Sequence, residues 1–211
     1  MDHYQSTFET WDKVAQQYQD KFMDMDLYND TYDVFCNLIE KRNATVFEIG
    51  CGPGNITNYL LNKRPDFILE AIDVAPNMVK LAKQNNPTAV FKIMDCRNIG
   101  TLPNRYDAII CGFCMPYLSK QDVVKLFKDC QTLLNIGGIA YFSTIEGEYT
   151  TSKFETSSNG EHTMFVYYYE EKYLTETLKQ NNFEFLHHFR KSYFKSDGSE
   201  QTHLILIVKK H

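Results

Sequence analysis

The chain predicts a doubly wound α/β fold, a mostly parallel sheet with helices on both faces. Three observations lead there. From residue 44 onward, short apolar runs alternate with segments of helical period, the pattern of parallel strands joined by crossover helices. The first run, Thr45-Val-Phe-Glu-Ile49, ends in glycines at 50, 52 and 54. It passes directly into Asn55–Leu61, where Ile56, Tyr59 and Leu60 share a helical face. The second run, Phe67–Ile72, ends in Asp73, 19 residues beyond Gly54. In an open parallel sheet that position brings a carboxylate beside the glycine turn.

Before the first strand, residues 8 to 40 read as helical. Phe8, Trp11, Ala15 and Tyr18 repeat at intervals of three and four, as do Tyr32, Phe35, Cys36 and Ile39. The polar stretch 23–29 separates the two, so residues 1–43 form a helical cap. The core, 44–145, contains strand candidates 44–49, 67–72, 88–94, 106–112 and 139–145, with helices over 55–63, 77–85 and 121–134 between them. Ser119-Lys-Gln-Asp122 reads as a near capping box. Asn135-Ile-Gly-Gly138 reads as the helix stop, with glycine in the C-cap region. Glu146–His162 is rich in Ser, Thr, Gly and Glu and too long for a routine connection, which marks 146–169 as a functional insertion over the site. A last helix at 171–181 precedes two extended runs, 183–189 and 202–208. Joined by Ser196-Asp-Gly-Ser199, they read as an antiparallel hairpin at a sheet edge.

At 211 residues one domain suffices, 1–211. A net charge of −5 does not supply the basic stripe that a phosphate backbone requires, so nucleic acid is not an expected partner. No apolar run approaches 18 residues and the first residues do not resemble a leader, so neither a membrane span nor export is expected, and the location expected is cytoplasmic. Six cysteines lie in or beside apolar runs, as buried free thiols do. Cys111-Gly-Phe-Cys114 ends a strand and lacks a second pair or histidines at ligand spacing, so no metal site is expected.

Glycines at 50, 52 and 54 let bare backbone approach a ligand, and the first N–H groups of the following helix point into the same turn. Asp73 is placed to accept from both hydroxyls of a ribose. The nicotinamide pattern G-x-G-x-x-G would need glycine at 55, which is Asn55. Phe47-Glu-Ile-Gly-Cys-Gly-Pro-Gly54 instead resembles the first motif of the class I S-adenosylmethionine-dependent methyltransferases, hydrophobic-Glu-hydrophobic-Gly-Cys-Gly-x-Gly. The likeness covers roughly 44–145 and extends more loosely over the rest.

The resemblance implies a Rossmann-like, mostly parallel seven-stranded sheet ending in an antiparallel hairpin. It implies S-adenosyl-L-methionine as cofactor, S-adenosyl-L-homocysteine as product, and methyl transfer to a small-molecule oxygen or nitrogen. Carried over by residue, Gly50, Cys51, Gly52, Asp73, Val74, Met78, Asp95, Cys96 and Gly112 are the implied cofactor contacts, with Tyr18 closing over the methionine end. Val74 and Met78 would sandwich the adenine, Asp95 would accept from its amino group, and Gly112 would leave room for the sulfonium arm. Asp95 read alone is also a turn cap, and Met78 read alone is also a core residue.

Methyl transfer asks chiefly for alignment, and a base only where the acceptor must lose a proton. Cys114-Met-Pro-Tyr117 lacks the Asn/Asp-Pro-Pro-Tyr of relatives that methylate nucleic-acid amines. Candidates for catalysis, as acid–base groups or contacts with the acceptor, are Tyr117, His162 and Tyr168, the last facing opposite to Tyr167 and Tyr169 in an extended segment. The hydroxyls and carboxylates of the insertion suit a polar or cationic acceptor. His187, His188 and His203 read as solvent-facing or packed. A binding module without chemistry and a nicotinamide-dependent oxidoreductase are the alternatives.

Overall fold

The structure is a computed structural model describing residues 3–156, 163–195 and 197–211. Its sheet has seven strands in the order β3-β2-β1-β4-β5-β9-β8. The strands are β1 Thr45–Ile49, β2 Ile68–Asp73, β3 Val90–Ile93, β4 Tyr106–Cys111, β5 Leu134–Ile145, β8 Phe183–Phe194 and β9 Glu200–Lys210. The first five run parallel, and β9 lies antiparallel between β5 and the edge strand β8.

Alternation along β1 explains the two layers. Phe47 and Ile49 join α6 (Lys120–Leu133) and α7 (Glu171–Gln180) on one face. Val46 joins α3 (Asn29–Leu38), α4 (Asn55–Lys63) and α5 (Pro76–Asn85) on the other. Four of the five β1 residues are buried, as a central strand covered on both faces requires. Burial of a side chain such as Phe127 or Leu60 stabilises by about 1.5–3 kcal/mol.

Local signals start the helices where expected. The Ser119 hydroxyl accepts the Asp122 N–H at the head of α6, forming one half of the capping box, while the Ser119 N–H goes to the Tyr4 hydroxyl. Pro76 opens α5, where its missing N–H costs nothing. The expected glycine stop for α6 is not there. Leu134 is already extended and paired with Tyr106, so β5 starts five residues earlier than the apolar run suggests. Gly137 lies inside this strand, next to an irregular register between Tyr106 and Ala108.

The segment expected as a polar loop is also largely regular. A 3-10 turn at Tyr149–Thr151 leads into β6 (Lys153–Thr156), which pairs antiparallel with β7 (Thr163–Val166). Rings hold it: Phe154 meets Phe165 at 5.1 Å and Tyr149 stacks on Tyr167 at 5.6 Å. These aromatic contacts are the anchors that a count of polar residues overlooks.

The cap helices α1 (His3–Lys13) and α2 (Ala15–Phe22) cross the C-terminal ends of the strands. The Tyr4 hydroxyl donates to the Asp122 carboxylate and accepts the Ser119 N–H at 2.9 Å. The Thr10 hydroxyl donates to the carbonyl of Thr163 at 3.0 Å, and Asn77 N–H donates to Asp12 at 2.7 Å. The cap is therefore tied to α6, β7 and α5 at once. Among the described residues no helix is long and apolar enough to cross a membrane.

Candidate active site

From β1 the chain winds toward β2, and from β4 toward β5, so a crevice opens between Gly50 and Gly112, where parallel sheets bind ligands. One glycine there is required by its backbone conformation, and a second packs against the end of a side chain. Gly54, the N-cap of α4, has φ 85°, and a Cβ on it would stand 2.4 Å from Asn86 Nδ2. A Cβ on Gly112 would stand 2.2 Å from Ile56 Cδ1. Ile56 thus packs against Gly112, which still lines the crevice where the sequence expects a ligand arm.

Two cavities share this crevice. The first, about 110 Å³, is lined by Asp73, Val74, Met78, Asp95 and Cys96 under Phe8 and Trp11. Asp73 Oδ2 accepts the Gly52 N–H at 2.8 Å and Oδ1 the Ala75 N–H at 2.9 Å, leaving a lone pair on each oxygen for a ligand. Burial raises its carboxyl above the ordinary value, opposed by those N–H groups. Val74 and the buried Met78 give the cavity apolar walls, and Met78 also packs on Ala15 and Ala75. Asp95 caps a second 3-10 turn, Cys96–Thr101, through Arg97 N–H and is gripped by the Arg97 guanidinium at 2.5–3.1 Å. Its cap role and its place in the cavity wall coexist. Arg97 in turn lies 4.0 Å from the Tyr4 ring centroid, which ties this wall to α1.

Cys96 lines the cavity with its sulfur 3.6 Å from that of Cys114. The bond to Cys114 and burial push Cys96 well above the ordinary cysteine value, and a bond to Cys111 with burial does the same for Cys114 against the lowering pull of Cys96, so both stay thiols rather than reactive thiolates. All six cysteines are free. Among the described residues, no three His, Cys, Asp or Glu side chains converge as a metal site would need.

The second cavity, about 190 Å³, shares Trp11, Tyr18, Gly50, Gly52, Gly112 and Tyr117 with the first. Cys51 belongs to this one alone. Tyr18 and Tyr117 both meet Trp11 edge-on, at 5.4 and 5.3 Å. Burial pushes both phenols well up, so they act as donors rather than phenolates near neutral pH. Tyr168 lines neither cavity. Its hydroxyl donates to Glu155 from behind the wall. His162 lies outside the described residues. Tyr167 and Tyr169 do join one cluster and Tyr168 another, as alternation requires.

Sequence reading missed His203 and Glu155. His187 and His188 are exposed on the edge strand, with His188 Nδ1 2.9 Å from Glu171. His203 is only 6% exposed and lines the second cavity, with Nδ1 2.6 Å from the Tyr28 hydroxyl. Burial lowers its imidazole to about 4, so it is neutral at pH 7. For Glu155, burial raises the carboxyl, but Lys195 at 2.8 Å and the Tyr168 hydroxyl outweigh it and hold the group below its ordinary value. One signal was available: His203 is followed by the fully buried run Leu204–Val208, which marks an interior strand rather than an edge.

The buried Glu48 of the glycine motif accepts from Thr57 Oγ1 through Oε2, while its Oε1 has no partner. Burial raises its carboxyl to about 8, so it is mainly protonated at pH 7.

Residues 46–138 match the family profile described as Methyltransferase domain. The chain is 40% identical over 76 residues to the putative methyltransferase 235L of Invertebrate iridescent virus 6, covering 36% of this chain and 28% of that protein. It is 34% identical over 143 residues to the malonyl-[acyl-carrier protein] O-methyltransferase of Anoxybacillus flavithermus, covering 60% of this chain and 52% of that one. The chain thus spans about half or less of these relatives' length. Its fold matches magnesium protoporphyrin IX methyltransferase from Synechocystis, solved with bound S-adenosylhomocysteine, with a TM-score of 0.76, 14% identity and 100% coverage of both chains. Over residues 46–138, glycine motif included, the chain is thus similar to methyltransferase domains, and it shares the fold of a methyltransferase solved with S-adenosylhomocysteine.

Proposed function

We propose that the protein binds S-adenosyl-L-methionine in the first cavity and transfers its methyl group to a small-molecule oxygen or nitrogen held in the second. The observation that carries this reading is the pair of cavities meeting at Gly50, Gly52 and Gly112, with the carboxylates Asp73 and Asp95 in the wall of the first. The residues suit the cofactor: Asp73 keeps two lone pairs for ribose hydroxyls, and Val74 and Met78 form an apolar slot for a flat ring. Tyr18 and Trp11 close over the shared wall. When bound, the sulfonium supplies an already activated methyl group. The chain's work is then to hold the acceptor in line and exclude water. The roof is the cap, 1–43, and the β6–β7 hairpin of the 146–169 insertion, both of which line the second cavity. Six free thiols support a reducing, cytoplasmic setting.

A ligand that binds only the native state raises its melting temperature. S-adenosylhomocysteine should raise it and NADH should not, and the reverse result would favour a nicotinamide enzyme. Turnover of labelled S-adenosylmethionine with a metabolite mixture separates an enzyme from a binding module.

A further inference from the structure

A residue lining the second cavity carries a buried polar atom with nothing to bond. His203 Nε2 has no hydrogen-bond partner, although the residue is only 6% exposed and its Nδ1 is taken by Tyr28. Buried polar nitrogens are nearly always paired, so an orphan in a cavity wall marks a place for a ligand group. The ring is held rigidly, stacked on Tyr193 at 4.9 Å and 13° and leaning on Phe113 at 4.7 Å.

The charge of the wall is equally selective. Among the described residues no Lys or Arg lines this cavity, and its single charged side chain is Glu155. That carboxylate is occupied by Lys195 and by the Tyr168 hydroxyl. The ring faces on one side are occupied too, since Lys21 Nζ stands 5.1 Å from the Phe22 ring and 6.0 Å from that of Tyr193. Among the described residues, then, no cation lines the wall to meet an anion, and its one carboxylate is already neutralised by Lys195. Aromatic rings make up much of the remaining wall, including Trp11, Tyr18, Phe113, Tyr117 and Tyr193, beside the neutral amides of Asn55 and Gln201. Its volume of about 190 Å³ is of the order of the ~150 Å³ cavity that accepts benzene.

Resting on the methyltransferase reading above, we propose that the acceptor is an uncharged single-ring compound packed among these rings, its hydroxyl or neutral amine hydrogen-bonded to His203 Nε2. The neutral imidazole offers one lone pair or one N–H at Nε2, depending on which way the Tyr28 bond runs. Either serves a hydroxyl or an amine and orients its lone pair. His203 is an acceptor-binding residue contributed by β9, far in sequence from the glycine motif.

The test uses the full chain saturated with S-adenosylhomocysteine and titrated with phenol, benzylamine and benzoate. Binding is followed by calorimetry and by the imidazole resonances of ¹⁵N-histidine-labelled protein. Phenol should bind and move the His203 Nε2 resonance, while protonated benzylamine and benzoate should bind about tenfold more weakly or worse. His203→Phe keeps the stack and removes the nitrogen. It should retain S-adenosylhomocysteine affinity and lose about tenfold in phenol affinity, with part regained in His203→Gln. Failure of phenol to bind, an unmoved Nε2 resonance, or equal affinity for the charged probes overturns the inference. If His203→Phe fails to fold, the resonance shift in the native protein and the His203→Gln titration decide it. Loss of S-adenosylhomocysteine binding by the native protein would instead overturn the cofactor reading.

Discussion

Asp73 and Gly52 form a single unit: the carboxylate at the end of β2 accepts the backbone N–H in the middle of the glycine turn at 2.8 Å. The group proposed to hold the ribose therefore also sets the shape of the loop beside it. Asp73→Ala should weaken S-adenosylhomocysteine binding more than tenfold, since each hydrogen bond to a charged group is worth about 1.5–3 kcal/mol. Asp73→Asn should fall between, because its amide retains one acceptor. A dissociation constant unchanged in Asp73→Ala, measured by calorimetry, would remove Asp73 from the cofactor site.

Gly112 and Ile56 give a prediction about packing. A methyl group at 112 would overlap Ile56 Cδ1, and overpacking of this kind costs about 1–3 kcal/mol. Gly112→Ala should lower the urea midpoint. Ile56→Val removes the clashing Cδ1, so the double variant should be more stable than additivity allows. Strict additivity would show that the two positions do not meet.

Glu48 gives a prediction about pH. Its folded-state value, about 8, lies above the ordinary 4.5. Below 4.5 it is protonated in both folded and unfolded chains and stability from this group is fully present. As pH rises from 4.5 toward 8 the unfolded chain releases the proton while the folded one keeps it, so stability falls. Glu48→Gln, whose amide is permanently neutral, should therefore gain on the wild type between pH 5 and pH 8, by at most on the order of 4 kcal/mol. Urea unfolding at the two pH values checks it, and a difference that shrinks with rising pH would mean Glu48 is ionised in the fold.

How far the sequence reaches is clearest by comparing Ile49–Asn55 with His203. By itself the sequence determined the parallel core, the α4 and α5 segments, the Ser119 cap and the nearness of Asp73 to the glycine turn. Each follows from periodicity or from a backbone need expressed within a few residues. Leu134, by contrast, goes straight from helix to strand because Tyr106 pairs with it, a partner 28 residues away. The polar insertion became a hairpin because Phe154 found Phe165 and Tyr149 found Tyr167. Arg97 closing on Asp95, and Ile56 packing against Gly112, are likewise side-chain outcomes. The second cavity is the extreme case, since it brings Trp11 of α1, Tyr28 ahead of α3, Phe113 after β4, Glu155 of β6 and His203 of β9 to one wall. No local pattern encodes such a meeting. A side chain's burial and charge state depend on neighbours that only the closed sheet and its cap supply, and for that reason the tertiary structure alone made His203 a residue that lines the second cavity with Nε2 unpaired.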